Sequence, residues 1–216
     1  MSVLLFDLDN TLYPHSSGVV ARIDERINGY LCARVGVPAA EVDRVRRRFW
    51  ADHGTTLRGL MLRHSVDADD YLEYVHDIEL ADLLAPDPLL RASLDRLPDR
   101  KAVFSNASRA HAARVLRRLG LEGAFEAVLA LEDLAYVPKP GVEAFRIALE
   151  ALETSAEGCS MIDDLRPNLA AAKRLGMCTI WVAERDREPA DETVDHVVSS
   201  VREIELLLTG ARSGGV

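Results

Sequence analysis

The sequence predicts an α/β protein: a doubly wound, Rossmann-like parallel sheet core carrying an inserted all-helical cap. Three observations predict it. The chain opens on a short apolar run, Val3-Leu4-Leu5-Phe6, which stops at once in Asp7-Leu8-Asp9-Asn10, and a buried parallel strand reads as such a near-continuous apolar run. From Pro88 onward, apolar runs of strand length alternate with stretches of helical period, the pattern of βα units. Between these parts, residues 15–86 keep helical spacing throughout and contain no strand pattern.

The elements follow in order. Val19, Val20, Ile23, Ile27, Leu31 and Val35 recur at helical spacing with charged residues between them, and Gly36 ends that helix. Pro38 opens a second helix at its first turn, running to Asp52. His53-Gly54 is a break, Thr55-Thr56 supplies a cap, and Leu57, Leu60, Met61 and His64 continue as a third helix. Val66-Asp67 starts a fourth through Tyr71, Leu72 and Val75, before Ala85-Pro86-Asp87-Pro88 closes the stretch as a linker. The expected division is therefore a discontinuous core, 1–14 and 87–216, around a helical cap at 15–86.

In the core, a helix over Leu89–Leu97 leads to a strand, Ala102-Val103-Phe104, ending in Ser105-Asn106. A helix from Arg109 to Leu119 is stopped by Gly120. A strand around Ala127–Ala130 precedes Pro138-Lys139-Pro140 and a helix through Val142, Phe145, Ile147 and Leu149. Cys159–Ile162 is a strand ending in Asp163-Asp164, and Pro167–Leu175 is helical. Cys178–Val182 and Val194–Val198 are strands, a last helix covers Val201–Leu208, and the tail 209–216 is expected to fray.

A hydrophobic content of 48% over 216 residues suits one domain, or one domain with a smaller insert, around a full core. The net charge of -9 argues against a nucleic-acid polymer or an anionic membrane as partner. A small phosphorylated ligand needs only local positive charge. The three cysteines are far apart and form no CxxC pair, so each reads as a small core residue in a reducing compartment. The six histidines show no metal spacing and read as structural or surface groups. No basic stretch precedes the first apolar run, which is too short for a signal peptide or a span. A cytoplasmic location is the expectation.

Ligands of open α/β sheets bind at the carboxyl ends of the strands, and polar groups gather there in this sequence. Asp7 and Asp9 follow the first strand; two carboxylates so close repel unless a cation or proton sits between them. Ser105 and Asn106 offer donors suited to phosphate oxygens. Lys139 lies between two prolines that stiffen and extend its backbone. Asp163 and Asp164 add two more carboxylates. Taken singly, each is explained as well by a turn, a helix cap or a solvated lysine. Together, four carboxylates beside one lysine make an anion site only with a metal, and oxygen donors with a phosphate ligand point to Mg2+.

In order, Asp7-x-Asp9-x-Thr11, Ser105-Asn106, Lys139-Pro140 and Asp163-Asp164 resemble the four motifs of the haloacid dehalogenase superfamily, over nearly the whole chain. The stretches Asp7 to Pro14, His53 to Leu60, Val75-His76-Asp77-Ile78 and His111-Ala112 resemble its pyrimidine 5′-nucleotidase-like branch. Position 10 departs from the superfamily's usual glycine, although asparagine also tolerates left-handed backbone.

The resemblance implies that Asp7 attacks phosphorus to form an aspartyl-phosphate, while Asp9 protonates the leaving oxygen and later activates water. It implies Mg2+ held by Asp7, the main-chain carbonyl of Asp9 and Asp164, with Asp163 a ligand or a neighbour of one. Lys139, Ser105 and Asn106 would bind the phosphate, and Thr11 would orient the first loop beside it. Dehalogenases of the superfamily lack the second aspartate, so Asp9 implies phosphoryl chemistry.

An insert after the first motif is in this family a cap that selects the leaving group. Thr55, Thr56, Arg58 and Gly59 are its candidates for reaching substrate. The run Arg44-Val45-Arg46-Arg47-Arg48 reads as a solvated helix face. Tyr30, Trp50, Tyr71 and Tyr74 read first as helix packing and second as a stacking surface for a base. The expected substrate is a nucleoside 5′-monophosphate. A broader sugar-phosphate or small-metabolite phosphatase, a phosphomutase and a non-catalytic binding protein stand as alternatives.

Overall fold

The computed structural model describes residues 2–183 and 191–213. Six strands form a single sheet: β1 (Val3–Phe6), β2 (Arg100–Phe104), β3 (Ala127–Leu129), β4 (Cys159–Asp163), β5 (Cys178–Val182) and β6 (His196–Val198). They run in the order β3-β2-β1-β4-β5-β6, and every pair is parallel. Five core helices cover the two faces: α5 (Pro88–Arg96), α6 (Arg109–Leu119), α7 (Val142–Ala151), α8 (Arg166–Arg174) and α9 (Ile204–Ser213).

The apolar run of β1 is buried at every position because it faces helices on both sides. Val3 and Leu5 join the layer holding Phe104 and Phe145, whereas Leu4 and Phe6 join the opposite layer with Val103, Val115 and Ile162. Strand alternation thus feeds two cores from four residues. The register sets Phe6 opposite Val103 on one side and Ile162 on the other. The residues that follow, Asp7, Ser105 and Asp163, therefore emerge together at the carboxyl edge of the three central strands.

The cap comprises α1 (Val19–Tyr30), α2 (Val42–His53), α3 (Thr56–His64) and α4 (Ala68–His76), all inserted between β1 and α5. Helix α1 packs on α4, with Tyr30 edge-on to Tyr71 at a centroid distance of 5.0 Å, the packing use expected of these tyrosines. Helices α2 and α3 meet at Gly59. A Cβ there would lie 2.4 Å from the Phe49 ring, so only glycine permits the approach. Thr55 caps α3, its hydroxyl accepting from the Arg58 amide at 3.1 Å, and Asp67 caps α4.

Several elements differ from the sequence reading. Pro88 is not linker: Asp87 caps α5 and Pro88 is its first residue. The chain leaving the cap is instead held against α6, where Arg114 donates to the His76 and Ile78 carbonyls and Arg118 donates to the Leu84 carbonyl. Helix α9 continues to Ser213, beyond the point where fraying was expected, and residues 214–216 lie outside the described residues. Cys32 is exposed, whereas Cys159 is buried. No helix among the described residues is long and apolar enough to cross a membrane.

Candidate active site

Asp7 is the first residue past β1. Its amide donates to the Ile162 carbonyl at 2.8 Å, so the sheet ladder fixes its backbone. One carboxylate oxygen, Oδ1, accepts from Lys139 Nζ at 2.8 Å, and the other accepts from the Thr11 hydroxyl at 3.1 Å. Thr11 thus orients the Asp7 side chain. Asn10 adopts φ +63°, the left-handed conformation that its side chain tolerates. The residue after that turn, Thr11, reaches back to the Asp7 carboxylate, and among the described residues the buried Asn10 Oδ1 atom has no partner.

The Asp9 carboxylate is held by two donors on one atom. Tyr13 O–H and His111 Nε2 both reach Oδ1, the latter at 3.0 Å. Burial pushes the Asp9 carboxyl up, but His111 and the bonds from His111 and Tyr13 outweigh it and hold the group below the usual carboxylate range. The Tyr13 hydroxyl is driven well above its usual range, first by burial and then by Asp9. Behind His111, the His76 ring stacks at a centroid distance of 4.4 Å, and Ser108 Oγ meets His76 Nδ1 at 3.0 Å. Burial, and then His111, pulls His76 down to about 3.

Asp163 ends β4, fully buried. Lys139 Nζ donates to it at 2.8 Å, Asn168 Nδ2 donates to both its oxygens at 3.0 Å, and the Leu165 amide donates at 2.8 Å. Lys139 therefore bridges Asp7 and Asp163. Burial pulls its ammonium down, yet Asp163 and Asp7 outweigh that and hold it protonated. The side chain of Asn106, in the cavity wall, clamps the Lys139 backbone: it accepts from the Lys139 amide at 2.8 Å and donates to the Lys139 carbonyl at 3.0 Å. The Lys139–Pro140 bond within this clamp is cis. Ser105 Oγ accepts from the Ala107 amide at 3.0 Å and keeps its own hydrogen for a ligand.

Asp7, Asp163 and Asp164 each offer a carboxylate oxygen, all within 4.8 Å of one another. The Asp9 side chain is not in this group. Burial and the neighbouring carboxylates raise Asp7 well above its ordinary value, and burial with Asp163 raises Asp164 to about 7. One lysine cannot balance three carboxylates, which is the signature of a missing positive charge. An all-oxygen donor set of this kind fits a hard divalent cation such as Mg2+.

Asp7, Asp9, Ser105, Lys139 and Asp164 line a cavity of about 750 Å³ whose other walls come from both the core and the cap. Thr55, Thr56 and Arg58 also line it, whereas Gly59 is turned to Phe49. Gly54 brings the cap down onto the core: at φ +82°, the position of its missing Cβ is 3.4 Å from the Lys139 carbonyl. The arginine run divides. Arg44 and Arg48 pair on the surface with Glu41 and Asp52. Arg46 turns inward to Asn28 (2.9 Å) and Asp24 and lines the cavity, with its buried Nε unpartnered. Trp50, one turn further, also lines it and is 53% exposed, so it is not spent on packing.

Sequence reasoning missed Asn168 as a member of this site, gave His111 no role, and read Arg46 first as solvated face and Trp50 first as helix packing. Both His111 and Trp50 left a signal, His111-Ala112 as part of the family resemblance and Trp50 as a second-choice stacking surface.

A family model for haloacid dehalogenase-like hydrolases matches residues 1–176. Phosphate metabolism protein 8 of Saccharomyces cerevisiae is 25% identical over 95% of this chain and 72% of its own length. Glyceraldehyde 3-phosphate phosphatase of Methanocaldococcus jannaschii is 24% identical over 93% of this chain and 94% of its own. Among solved structures, a dehalogenase with an intermediate complex superposes with a TM-score of 0.65 at 20% identity, over 96% of each chain. At that identity the likeness speaks for the fold alone.

Proposed function

The chain belongs to the haloacid dehalogenase-like hydrolases, and from that premise we propose that it is a Mg2+-dependent phosphomonoesterase acting on nucleoside 5′-monophosphates, pyrimidine nucleotides first. The observation that carries the phosphatase reading is the pair Asp7 and Asp9. Asp7 is a carboxylate inside an all-oxygen cation site, and Asp9 is a second carboxylate beside it, held by Tyr13 and His111. A displacement whose leaving group departs as a halide needs no acid, whereas an alkoxide leaving group does.

Asp7 attacks phosphorus, the ester P–O bond breaks, and the Asp9 proton passes to the leaving oxygen. Asp9 then takes a proton from the water that attacks the aspartyl-phosphate, the P–O bond to Asp7 breaks, and inorganic phosphate departs. The charge of an arriving phosphate opposes the pull of His111 and raises the proton affinity of Asp9. Lys139, with a third N–H beyond its two carboxylate bonds, and the Ser105 hydroxyl meet the transferring oxygens. Mg2+, held by Asp7, the Asp9 carbonyl and Asp164 with Asp163 beside them, would supply the charge that lets a carboxylate approach an anionic phosphate.

The cavity supports a nucleotide. A three-carbon phosphate would fill a small part of about 750 Å³, while Trp50 offers an uncovered indole face and Arg46 and Arg58 offer guanidinium donors. The archaeal relative's name favours a second reading, a phosphatase of small sugar phosphates. Phosphate release from a panel of nucleotides and sugar phosphates, with Mg2+ or with chelator, separates them. We expect release from UMP and CMP that chelator abolishes. Release from nothing would sink the phosphatase reading, and faster turnover of sugar phosphates would sink the nucleotide.

A further inference from the structure

We propose that His111 is a positioning residue for Asp9: with Tyr13 it pins one carboxylate oxygen, Oδ1, and so reserves Oδ2 for the proton exchanged with the leaving group. This rests on the phosphatase reading for its catalytic meaning but on geometry for its substance. His111 is fully buried, and its Nε2 lies 3.0 Å from Asp9 Oδ1. The Tyr13 hydroxyl reaches the same atom, and Asp9 Oδ2 accepts no bond from the described residues. Two donors on one oxygen distinguish the two oxygens of an otherwise symmetric group, which a single contact would do poorly.

The ring is itself fixed on both sides. Its amide donates to Ser108 Oγ at 3.2 Å as the capping bond of α6, and that same hydroxyl meets His76 Nδ1. The His76 ring, the last residue of cap helix α4, stacks on His111 at an interplanar angle of 20°. Among the described residues, the other nitrogen, Nδ1, is buried without a partner. Burying an unsatisfied polar atom is costly, a cost that a phenylalanine or leucine filling the same core position would avoid. The imidazole makes one side-chain hydrogen bond, and it goes to Asp9.

The test compares His111→Phe, which keeps the ring and its stacking but lacks a donor, with His111→Gln, which keeps a donor at similar reach. Thermal denaturation confirms that both fold. Crystal structures of wild type and His111→Phe read the Asp9 carboxylate directly: we expect a rotated or doubly occupied side chain in the variant. Unchanged Asp9 would overturn the proposal even if the wild type proved to release no phosphate. In kinetics, kcat/KM covers only the steps through departure of the leaving group. His111→Phe should lose roughly tenfold or more on UMP, within the 10²–10⁴ that general acid catalysis supplies. It should lose little on p-nitrophenyl phosphate, whose leaving group needs no proton, and His111→Gln should recover much of the loss. Equal losses on both substrates, no loss on either, or a Gln variant no better than Phe would each overturn it.

Discussion

Asp7 is the residue on which a buried, crowded charge and the proposed first chemical step coincide. Its carboxyl is raised first by burial and then by Asp163 and Asp164, with only Lys139 acting the other way. Asp7→Asn keeps the shape and an oxygen for Lys139 while removing one of three crowded charges. Turnover should fall roughly 10³-fold or more, as expected when a covalent nucleophile is lost, while the melting temperature without metal should be no lower than that of the wild type. Phosphate release and calorimetry on the same preparation check both; near-normal activity would remove Asp7 as nucleophile. These core groups were legible in the sequence because each follows directly on a strand, so local pattern and topology together place them. His111 was not. Its bond to Asp9 spans 102 positions, and no periodicity reports such a contact. Asn106 carries a task its sequence does not show, since its carboxamide makes two bonds to the Lys139 backbone.

At the level of elements, the alternation of strand and helix was readable because β1, β4 and β5 are buried on both faces and are mostly apolar, with Ser160, Asp163 and Thr179 as the exceptions. The inner face of α2 was not readable. Arg46, Trp50 and His53 lie three and four residues apart and all line the cavity, yet the surrounding arginines make the helix look solvated from end to end. Only the position of α1 across the cavity, with Asp24 pairing Arg46, decides which arginine faces inward. If Trp50 stacks on a base, Trp50→Ala should raise KM for UMP about tenfold, since a base–aromatic stack is worth about 1–3 kcal/mol. KM for glycerol phosphate, which has no base, should stay unchanged. Because the indole is largely exposed, stability should change little. Steady-state kinetics on the two substrates read this, and equal rises in KM would show a general distortion of the cap.

For the whole molecule, the carboxylates at the central strand ends make folding, protonation and cation binding one linked equilibrium. In the metal-free protein, Asp164 keeps its proton to about pH 7, against an ordinary value of 3.8, and Asp7 is displaced in the same direction. The folded state therefore binds more protons than the unfolded chain between these values. The stability Asp164 contributes is full below about pH 4 and is lost as pH rises through about 7, and Asp7 acts in the same direction. Asp9 works oppositely, since its lowered value favours the fold above the usual carboxylate range and is lost in acid. A divalent cation binds the deprotonated carboxylates, so its affinity must rise across the window in which the metal-free fold weakens. Melting measured with chelator should accordingly fall between about pH 5 and pH 8. The gain on adding Mg2+ should grow over the same interval, toward the roughly 2.7 kcal/mol that a ligand at 100 times its Kd supplies. Asp164→Asn should flatten the metal-free curve and remove most of that gain. A Mg2+ gain independent of pH, or one that survives Asp164→Asn intact, would mean that the cation binds elsewhere than between β1 and β4.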